Sequence, residues 1–293
     1  MMTMIEIKQV TMQFEQQVVL NQVDLSVQPG EIVGLVGANG AGKSTLINLI
    51  LGRLQPTAGE IRILGQKPTE KEHFNLLGAM MQGNVRLARV SVIEELELVC
   101  SYYQQPRSVT ELLTLADLKA QAHKMVSQLS GGQLRRLSFA LAMAGNPDLL
   151  FLDEPTVGMD VGSRQKFWQQ IEQLKEAGKT IIVTSHYLEE IEHIATRILL
   201  LKDGQFQFDG DLATLQQQFK GTQIRFTTDL PAATFAKWPG VIRVTKTGAK
   251  VLLQVTKSDP ILSQLAPMMG IQVHDVQVQA SSLNEIYSEM MED

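Results

Sequence analysis

Short apolar segments alternate with helical segments through the middle of the chain. Ile32–Val36, Leu149–Leu152 and Thr180–Thr184 are largely apolar runs of strand length, and each precedes a polar or glycine-rich loop. Thr45–Leu54, after the first loop, has apolar residues at helical spacing. Strands that alternate with helices in this way predict an α/β fold with a mostly parallel sheet covered on both faces.

Two regions interrupt the alternation. Thr3–Val10 and Val18–Val27 are strand-like segments separated by turns, and they predict an antiparallel β subdomain at the N-terminus. Between Gln82 and Gly145 the strand pattern is absent, which predicts a helical insertion at about 83–145. Its predicted helices are Ser91–Tyr103, Val109–Leu118 and Leu134–Ala144.

The last part of the chain has a mixed pattern that predicts a small α+β appendix. Its β-like segments are Thr222–Thr228, Val241–Thr247, Ala249–Thr256 and Ile271–Val278, and its helical segments are Asp259–Met268 and Ser281–Met291. We therefore expect two domains, residues 1–220 and 221–293.

Composition narrows the function classes. The chain has 293 residues and a net charge of −5, so we expect no nucleic-acid partner, which would require a basic face. The single cysteine, Cys100, excludes an internal disulfide and fits a reducing compartment. No apolar run reaches the roughly 18 residues of a membrane helix, and the N-terminus lacks the pattern of a signal peptide. We expect a cytosolic protein whose action at a membrane would require a partner.

The loop after the predicted strand Ile32–Val36 is a phosphate-binding loop, or P-loop. Residues 37–44, GANGAGKS, fit the pattern G-x-x-x-x-G-K-[ST] between a strand and a helix. Its amides and the helix N-terminus would bind phosphate, Lys43 would reach the β- and γ-phosphates, and Ser44 would ligate Mg²⁺. A chance glycine-rich turn is the alternative. The predicted nucleotide-binding residues of this segment are Gly37, Asn39, Gly40, Ala41, Gly42, Lys43, Ser44 and Thr45.

Two acids, Asp153 and Glu154, follow the predicted strand at 149–152. Asp153 ends the run Leu149–Leu152, so its carboxylate is expected at the carboxyl edge of the sheet, where such folds bind ligands. We expect Asp153 to be a partner of Mg²⁺ and Glu154 to orient the attacking water. The alternative for Glu154 is a surface carboxylate before a proline turn.

The stretch from Leu129 to Asp160, LSGGQLRRLSFALAMAGNPDLLFLDEPTVGMD, strongly resembles the nucleotide-binding subunit of ATP-binding-cassette (ABC) transporters. The resemblance covers residues 1–220 and implies an ATPase with a P-loop NTPase core. It is greatest to the single-cassette ATPases of bacterial drug and antibiotic exporters, which commonly carry a short C-terminal appendix.

The resemblance assigns a role to the signature loop, residues Ser130, Gly131, Gly132 and Gln133. In the family this loop contacts the γ-phosphate held by the P-loop of a second copy. The chain would therefore hold two incomplete halves of an ATP site, completed in a head-to-tail homodimer. A glycine turn that caps a helix is the alternative.

Four other residues match family positions. Gln82 would sense Mg²⁺ or the attacking water, and His186 would bind the γ-phosphate and hold the water with Glu154. Asp160 would couple the two sites, and Phe14 would stack on adenine. The alternatives are a loop glutamine for Gln82, a structural histidine for His186 and a core residue for Phe14.

Other residues receive no catalytic role. Arg135 and Arg136 are expected at solvated or interface positions. His73, His123, His193 and His274 have no ligand-like spacing, so no metal is assigned to them. The segment Gly83–Arg89 departs from the family pattern, which leaves the contact with the transmembrane partner undefined.

The implied function is ATP hydrolysis that drives export of drugs or other small molecules through a separate transmembrane permease subunit. The subunit would be cytoplasmic and peripheral to the inner face of the cell membrane through that permease. The alternatives are a soluble ABC-type ATPase without a membrane partner, an importer subunit, and a regulatory module without hydrolysis. Glu154 and His186 together disfavour the last.

Overall fold

The computed structural model describes residues 3–70, 74–83, 89–218, 222–280 and 282–292. The chain forms two compact units, Met1–Gly210 and Asp211–Asp293. The boundary predicted at 220–221 lies outside the described residues and stays a prediction, as does the departure from the family pattern at 84–88. His73 also lies outside them.

The first unit contains two sheets and six α-helices among its described residues. The strands are β1 (Ile5–Phe14), β2 (Gln17–Val27), β3 (Ile32–Gly37), β4 (Ala58–Ile63), β5 (Leu77–Met80), β6 (Leu149–Asp153), β7 (Thr180–Thr184), β8 (Arg197–Lys202) and β9 (Gln205–Gly210). The helices are α1 (Lys43–Ile50), α2 (Val92–Cys100), α3 (Val109–Leu115), α4 (Gly131–Ala142), α5 (Val161–Glu176) and α6 (Leu188–Ile194).

The larger sheet has the strand order β5-β6-β7-β3-β8-β9. Its neighbouring strands are parallel except for β9, which is antiparallel to β8. The smaller sheet, order β2-β1-β4, is antiparallel. These sheets confirm the predicted α/β fold with its N-terminal antiparallel subdomain.

An apolar core joins the smaller sheet, α1 and one face of the larger sheet. Alternate residues of β3, Val33 and Leu35, belong to this core, as do Leu149 and Phe151 of β6. Because both faces of the central strands are buried, β3, β6 and β7 are continuous apolar runs. Polar groups at their carboxyl ends therefore emerge together at one edge of the sheet.

The helical insertion contains α2, α3 and α4. The first two are shorter than predicted, whereas α4 begins three residues earlier and ends two residues earlier than the predicted helix. A serine begins each helix through a reciprocal pair of hydrogen bonds with the residue three positions later, known as a capping box. The capping serines are Ser91, Ser108 and Ser130.

The second unit is a small α+β domain, also as predicted. Its strands are β10 (Thr222–Thr227), β11 (Val241–Thr247), β12 (Lys250–Val255) and β13 (His274–Ala280), and its helices are α7 (Leu212–Gln218), α8 (Ala233–Ala236), α9 (Ser258–Leu265) and α10 (Leu283–Glu292). The sheet is antiparallel, in the order β11-β12-β10-β13. One face packs through Ile224 and Phe226 against Phe235 of α8 and Ile261 of α9.

Candidate active site

The P-loop joins β3 to α1 in the backbone conformation that its glycines permit. Gly40 and Gly42 have φ angles of 84° and 107°, which non-glycine residues rarely adopt. At Gly37 a side chain would lie 2.4 Å from the backbone oxygen of Leu201 in β8. The glycines are therefore required by the path of the loop, which leads into the N-terminus of α1, a type of site that binds anions.

Lys43 begins α1 and folds back over the loop. Its Nζ donates hydrogen bonds to the backbone oxygens of Gly37 at 2.7 Å and Ala38 at 3.0 Å. Burial lowers the pKa of Lys43, while Glu154 and Asp153 act in the opposite direction. Because the ammonium of Lys43 is half-buried and donates to carbonyl oxygens of the loop, it is well placed to turn toward a phosphate oxygen instead.

Thr184 connects the ends of two neighbouring strands. Asp153 of β6 and Thr184 of β7 are paired in register. The Thr184 hydroxyl donates to Asp153 Oδ1 at 2.6 Å and accepts from the backbone N–H of Glu154 at 3.0 Å. Thr184 is fully buried, so this bridge fixes both acids at the sheet edge.

Glu154 is buried beside His186. Glu154 Oε2 accepts a hydrogen bond from the His186 backbone N–H at 3.0 Å, and Oε1 lies 3.4 Å from His186 Nε2. Burial raises the pKa of Glu154, and the hydrogen bond from His186 partly offsets the rise. Oε1 has no hydrogen-bond partner among the described residues. A buried carboxylate that has a raised pKa and one oxygen without a hydrogen-bond donor is suited to orient water and accept its proton.

These groups face one cleft of about 210 Å³. Its lining residues are Asn39, Gly40, Gly42, Lys43, Ser44, Thr45, Gln82, Asp153, Glu154 and His186. The structure thus brings together the P-loop, Gln82, both acids and the histidine. Their catalytic and binding roles stay predictions.

The donor set of the cleft fits Mg²⁺. Ser44, Gln82 and Asp153 all line it and offer a hydroxyl, an amide and a carboxylate oxygen. Mg²⁺ prefers oxygen ligands and usually takes only one or two carboxylates, with phosphate and water as the rest.

The signature loop lies outside the lining of the cleft. Ser130 is the N-cap of α4, where its hydroxyl accepts from the Gln133 backbone N–H at 3.2 Å. Gln133 Oε1 accepts in return from the Ser130 N–H at 3.0 Å. Gly131 is exposed, and a side chain there would meet no atom within 4 Å. The loop is an exposed helix N-terminus, a type of site that binds anions.

Four other predicted residues also lie outside the lining of the cleft, namely Gly37 and Ala41 of the P-loop, Phe14 and Asp160. Phe14, at the end of β1, is 43% exposed and therefore is not the core residue that was its alternative. Asp160 is the N-cap of α5, where its carboxylate accepts from the Ser163 N–H at 2.9 Å and hydroxyl at 2.7 Å. Those bonds lower the pKa of Asp160.

The expected position of Arg135 was wrong. Its side chain is 3% exposed and reaches the sheet edge, whereas Arg136 is half-buried and pairs with Asp117 at 3.0 Å. One signal was available in the sequence: Arg135 lies four residues before Phe139 and seven before Ala142, both buried on α4.

Sequence reasoning also missed Glu190. Its Oε2 accepts from the hydroxyls of Thr156 at 2.9 Å and Ser185 at 3.0 Å. Glu190 thereby ties the segment after Glu154 to the segment that carries His186. No local sequence pattern distinguishes it from its neighbour Glu189.

Comparison with known proteins places this geometry in context. Residues 20–157 match the family model for an ABC transporter, and residues 210–291 match that for the C-terminal domain of ATP-binding protein DrrA1-3-like proteins. The Nod factor export ATP-binding protein I of Neorhizobium galegae is 32% identical, over 89% of this chain and 78% of the relative.

Solved structures show the same fold. An ATP-binding subunit of an ABC transporter superposes with a TM-score of 0.69 at 26% identity, over 74% of this chain and 93% of the other. The ATP-binding cassette MJ0796, a dimer in a post-hydrolysis state bound to ADP and Pi, superposes with a TM-score of 0.65 at 30% identity. That match covers 71% of this chain and 99% of the cassette.

Proposed function

The chain belongs to the ATP-binding subunits of ABC transporters, and we propose that two copies close head to tail on ATP and Mg²⁺ to drive export by a separate transmembrane protein. The family activity is ATP hydrolysis. The proposal concerns the residues that perform it, the arrangement of the dimer and the direction of transport.

Hydrolysis requires in-line attack of water on the γ-phosphorus and departure of ADP. Lys43 and the P-loop amides neutralise the charge that develops on the phosphate oxygens. Glu154 orients the water through Oε1 and takes up its proton, while His186 contacts the γ-phosphate from the exposed side of the cleft. His186 suits this position because its ring lies against Glu154 and its side chain is 53% exposed.

Ser44, Gln82 and Asp153 would hold Mg²⁺ between them. The ion supplies positive charge at the β- and γ-phosphate oxygens when it is bound. Asp153 is prepared for this role by Thr184, which holds Oδ1 in place.

The composition of the cleft carries the proposal of a shared site. The P-loop, Gln82, Asp153, Glu154 and His186 line it, but Ser130–Gln133 do not. The exposed helix N-terminus at Ser130 is a type of site that binds anions, so it could meet the phosphate of a nucleotide in the cleft of another copy. Two copies related by a two-fold axis would complete both sites at once, and the dimeric MJ0796 cassette supports dimerisation.

Mixed dimers test the shared site directly. Lys43→Ala disables a P-loop, and Ser130→Arg blocks a signature loop by size and charge. The two changes are placed either in one chain, beside a parental partner, or in opposite chains, with two affinity tags to isolate each mixed dimer. Phosphate release is then measured for both.

The two arrangements give opposite results under the two hypotheses. If sites are shared head to tail, changes in opposite chains damage the same site and leave the other intact, whereas both changes in one chain damage both sites. Turnover should therefore survive only with the changes in opposite chains. Turnover only with both changes in one chain would overturn the proposal, because each chain would then form its own site.

Export requires a membrane partner at the cytoplasmic face. Among the described residues, no helix is long and apolar enough to cross a membrane. The chain would be held peripherally at the inner face of the cell membrane by the permease, and the name of the relative indicates export. Purification of the tagged chain from mild-detergent extracts should yield a stoichiometric protein with several apolar spans. Recovery without one would favour the alternative of an ABC-type ATPase without a membrane partner.

A further inference from the structure

Arg135 is a buried arginine with an unusual set of partners. It lies on α4, five positions after Ser130, and is 3% exposed. Its Nη1 donates to the backbone oxygen of Met81 at 3.1 Å, and its Nη2 donates to the backbone oxygens of Asp153 at 3.0 Å and Glu154. One guanidinium therefore holds backbone from two strand ends.

Those carbonyls belong to the residues that form the cleft. Met81 immediately precedes Gln82, Asp153 is the proposed Mg²⁺ partner, and Glu154 is the proposed base. Glu154 has a φ angle of 51°, in the left-handed region that non-glycine residues rarely occupy. Such a conformation persists only when surrounding contacts hold it, and the Glu154 carbonyl contact is one of them.

We propose that Arg135 is a positioning residue that holds the Glu154 backbone so that its carboxylate points at the attacking water. This inference rests on the role of Glu154 in the proposed function. Arg135 acts on the main chain, because its hydrogen bonds go to carbonyls and not to the carboxylates. Rotation of the Glu154 main chain would carry the side chain away from His186 and the cleft.

The planar shape of arginine is required for this role. The two terminal nitrogens of a guanidinium diverge in a fixed plane, so they reach the Met81 and Glu154 oxygens at once. Lysine would retain the charge but has one nitrogen, which cannot occupy both positions. Replacement of the guanidinium by the single ammonium of lysine would therefore release one strand end, although the positive charge would remain.

Arg197 provides a matched control. It also holds several partners, with hydrogen bonds to Asp209 at 2.5 Å and to the Ser26 backbone oxygen at 2.7 Å. It begins β8, so it lies at the edge of the sheet opposite to the carboxyl ends that form the cleft. Arg197→Gln removes a hydrogen-bonded arginine without contact to the site.

The experiment measures kcat, KM, equilibrium ATP binding and ATP-dependent dimerisation of the full chain carrying Arg135→Gln, Arg135→Lys or Arg197→Gln. Both Arg135 variants should lose about 100-fold in kcat, since small misplacement of a reacting group has effects of this size. ATP affinity and dimerisation should stay parental, because the P-loop and Ser130 are intact. Arg197→Gln should lower Tm and leave kcat unchanged.

Combination with Glu154→Gln separates this inference from the proposed function. If Arg135 acts through Glu154, single-turnover hydrolysis by the double variant should be as slow as that by Glu154→Gln alone. A further 100-fold loss, or a parental kcat in Arg135→Lys, would overturn the positioning role. Parental turnover in Glu154→Gln itself would instead overturn the proposed function, whatever Arg135 does.

Discussion

Two polar grooves of this molecule have nearly the same volume, about 210 Å³ for the nucleotide cleft and about 220 Å³ for a groove in the second unit. In the cleft, Asp153 and Glu154 are only 3% and 4% exposed. In the second groove, Arg243 is exposed. Glu285 forms an ion pair with Arg225, which is also exposed.

The difference lies in what each groove costs the fold. Burial of a carboxylate is unfavourable unless partners compensate for the loss of water. In the cleft, Glu154 Oε1 has no hydrogen-bond partner among the described residues, an arrangement that lowers stability and that the proposed catalytic role of Glu154 would explain. Exposed groups such as Arg243 cost little and constrain the sequence little. In this comparison, the buried and incompletely paired Glu154 agrees with its proposed chemical role, whereas the exposed Arg243 and the paired Glu285 of the appendix groove indicate none.

Glu154→Gln gives the largest expected effect and tests the cleft side of this comparison. Turnover should fall about 10³- to 10⁴-fold, or roughly 4–5.5 kcal/mol in barrier, because glutamine cannot accept the proton. ATP binding should persist and the ATP-bound dimer should accumulate. Phosphate release, equilibrium ATP binding and size-exclusion chromatography with ATP measure these quantities. Glu189→Gln, an exposed neighbour of Glu190, is the control and should behave as the parent.

Phe235→Ala tests the appendix side. Phe235 is fully buried, and its ring packs edge-on against Phe226 at 5.0 Å and Trp238 at 5.2 Å. Its truncation should destabilise the second unit by about 3 kcal/mol. If the appendix supplies no catalytic group, turnover per folded first unit should not change. Denaturant unfolding is followed by fluorescence in a chain that also carries Trp168→Phe, so that Trp238 is its one tryptophan, and turnover is measured beside it. If the stability of the second unit and the turnover per folded first unit fell together, this separation would be wrong.

The sequence predicts features that depend on neighbouring residues better than it predicts contacts between residues that are far apart along the chain. The P-loop and the acids at the strand ends could be predicted because phosphate chemistry restricts local residue types and places them at one sheet edge. The assignment of His186 came from the resemblance to the ABC family. The hydrogen-bond partners of Arg135 could not be predicted, because Met81 is 54 residues away and only the folded sheet brings the two residues together. The Thr184 bridge likewise depends on the register of β6 and β7. The core of the appendix needs only alternating apolar residues, so its four strands and its helices α9 and α10 could be predicted, whereas the short helix α8 and the role of the appendix could not.

Paired serine substitutions separate the structural work of the signature loop from its chemistry. Ser130 and Ser108 both begin helices in capping boxes, with partners Gln133 and Glu111. Replacement of either serine by alanine should cost about 1 kcal/mol of stability. Only Ser130→Ala should also reduce turnover and ATP-dependent dimerisation, because only that hydroxyl would meet the γ-phosphate of the partner site. Equal turnover in both variants would leave Ser130 a helix cap alone.

The smallest expected effect is a pH-dependent gain in stability from Glu154→Gln. The pKa of Glu154 is raised in the folded protein, so the fold favours its protonated form. The pKa of Glu154 is ordinary in the unfolded chain and higher in the folded protein. As pH rises between these two pKa values, the unfolded chain loses its proton first, so the folded state of the parent becomes less stable relative to the unfolded state. Glutamine does not titrate and still offers an oxygen to the His186 N–H. The variant should therefore unfold a few degrees higher than the parent at pH 8, and this gain should vanish below pH 4.

Thermal unfolding across that pH range measures the gain. Glu189→Gln, which removes an exposed carboxylate, is the control and should show no such trend. If the gain in stability were independent of pH, it would not arise from the raised pKa of Glu154.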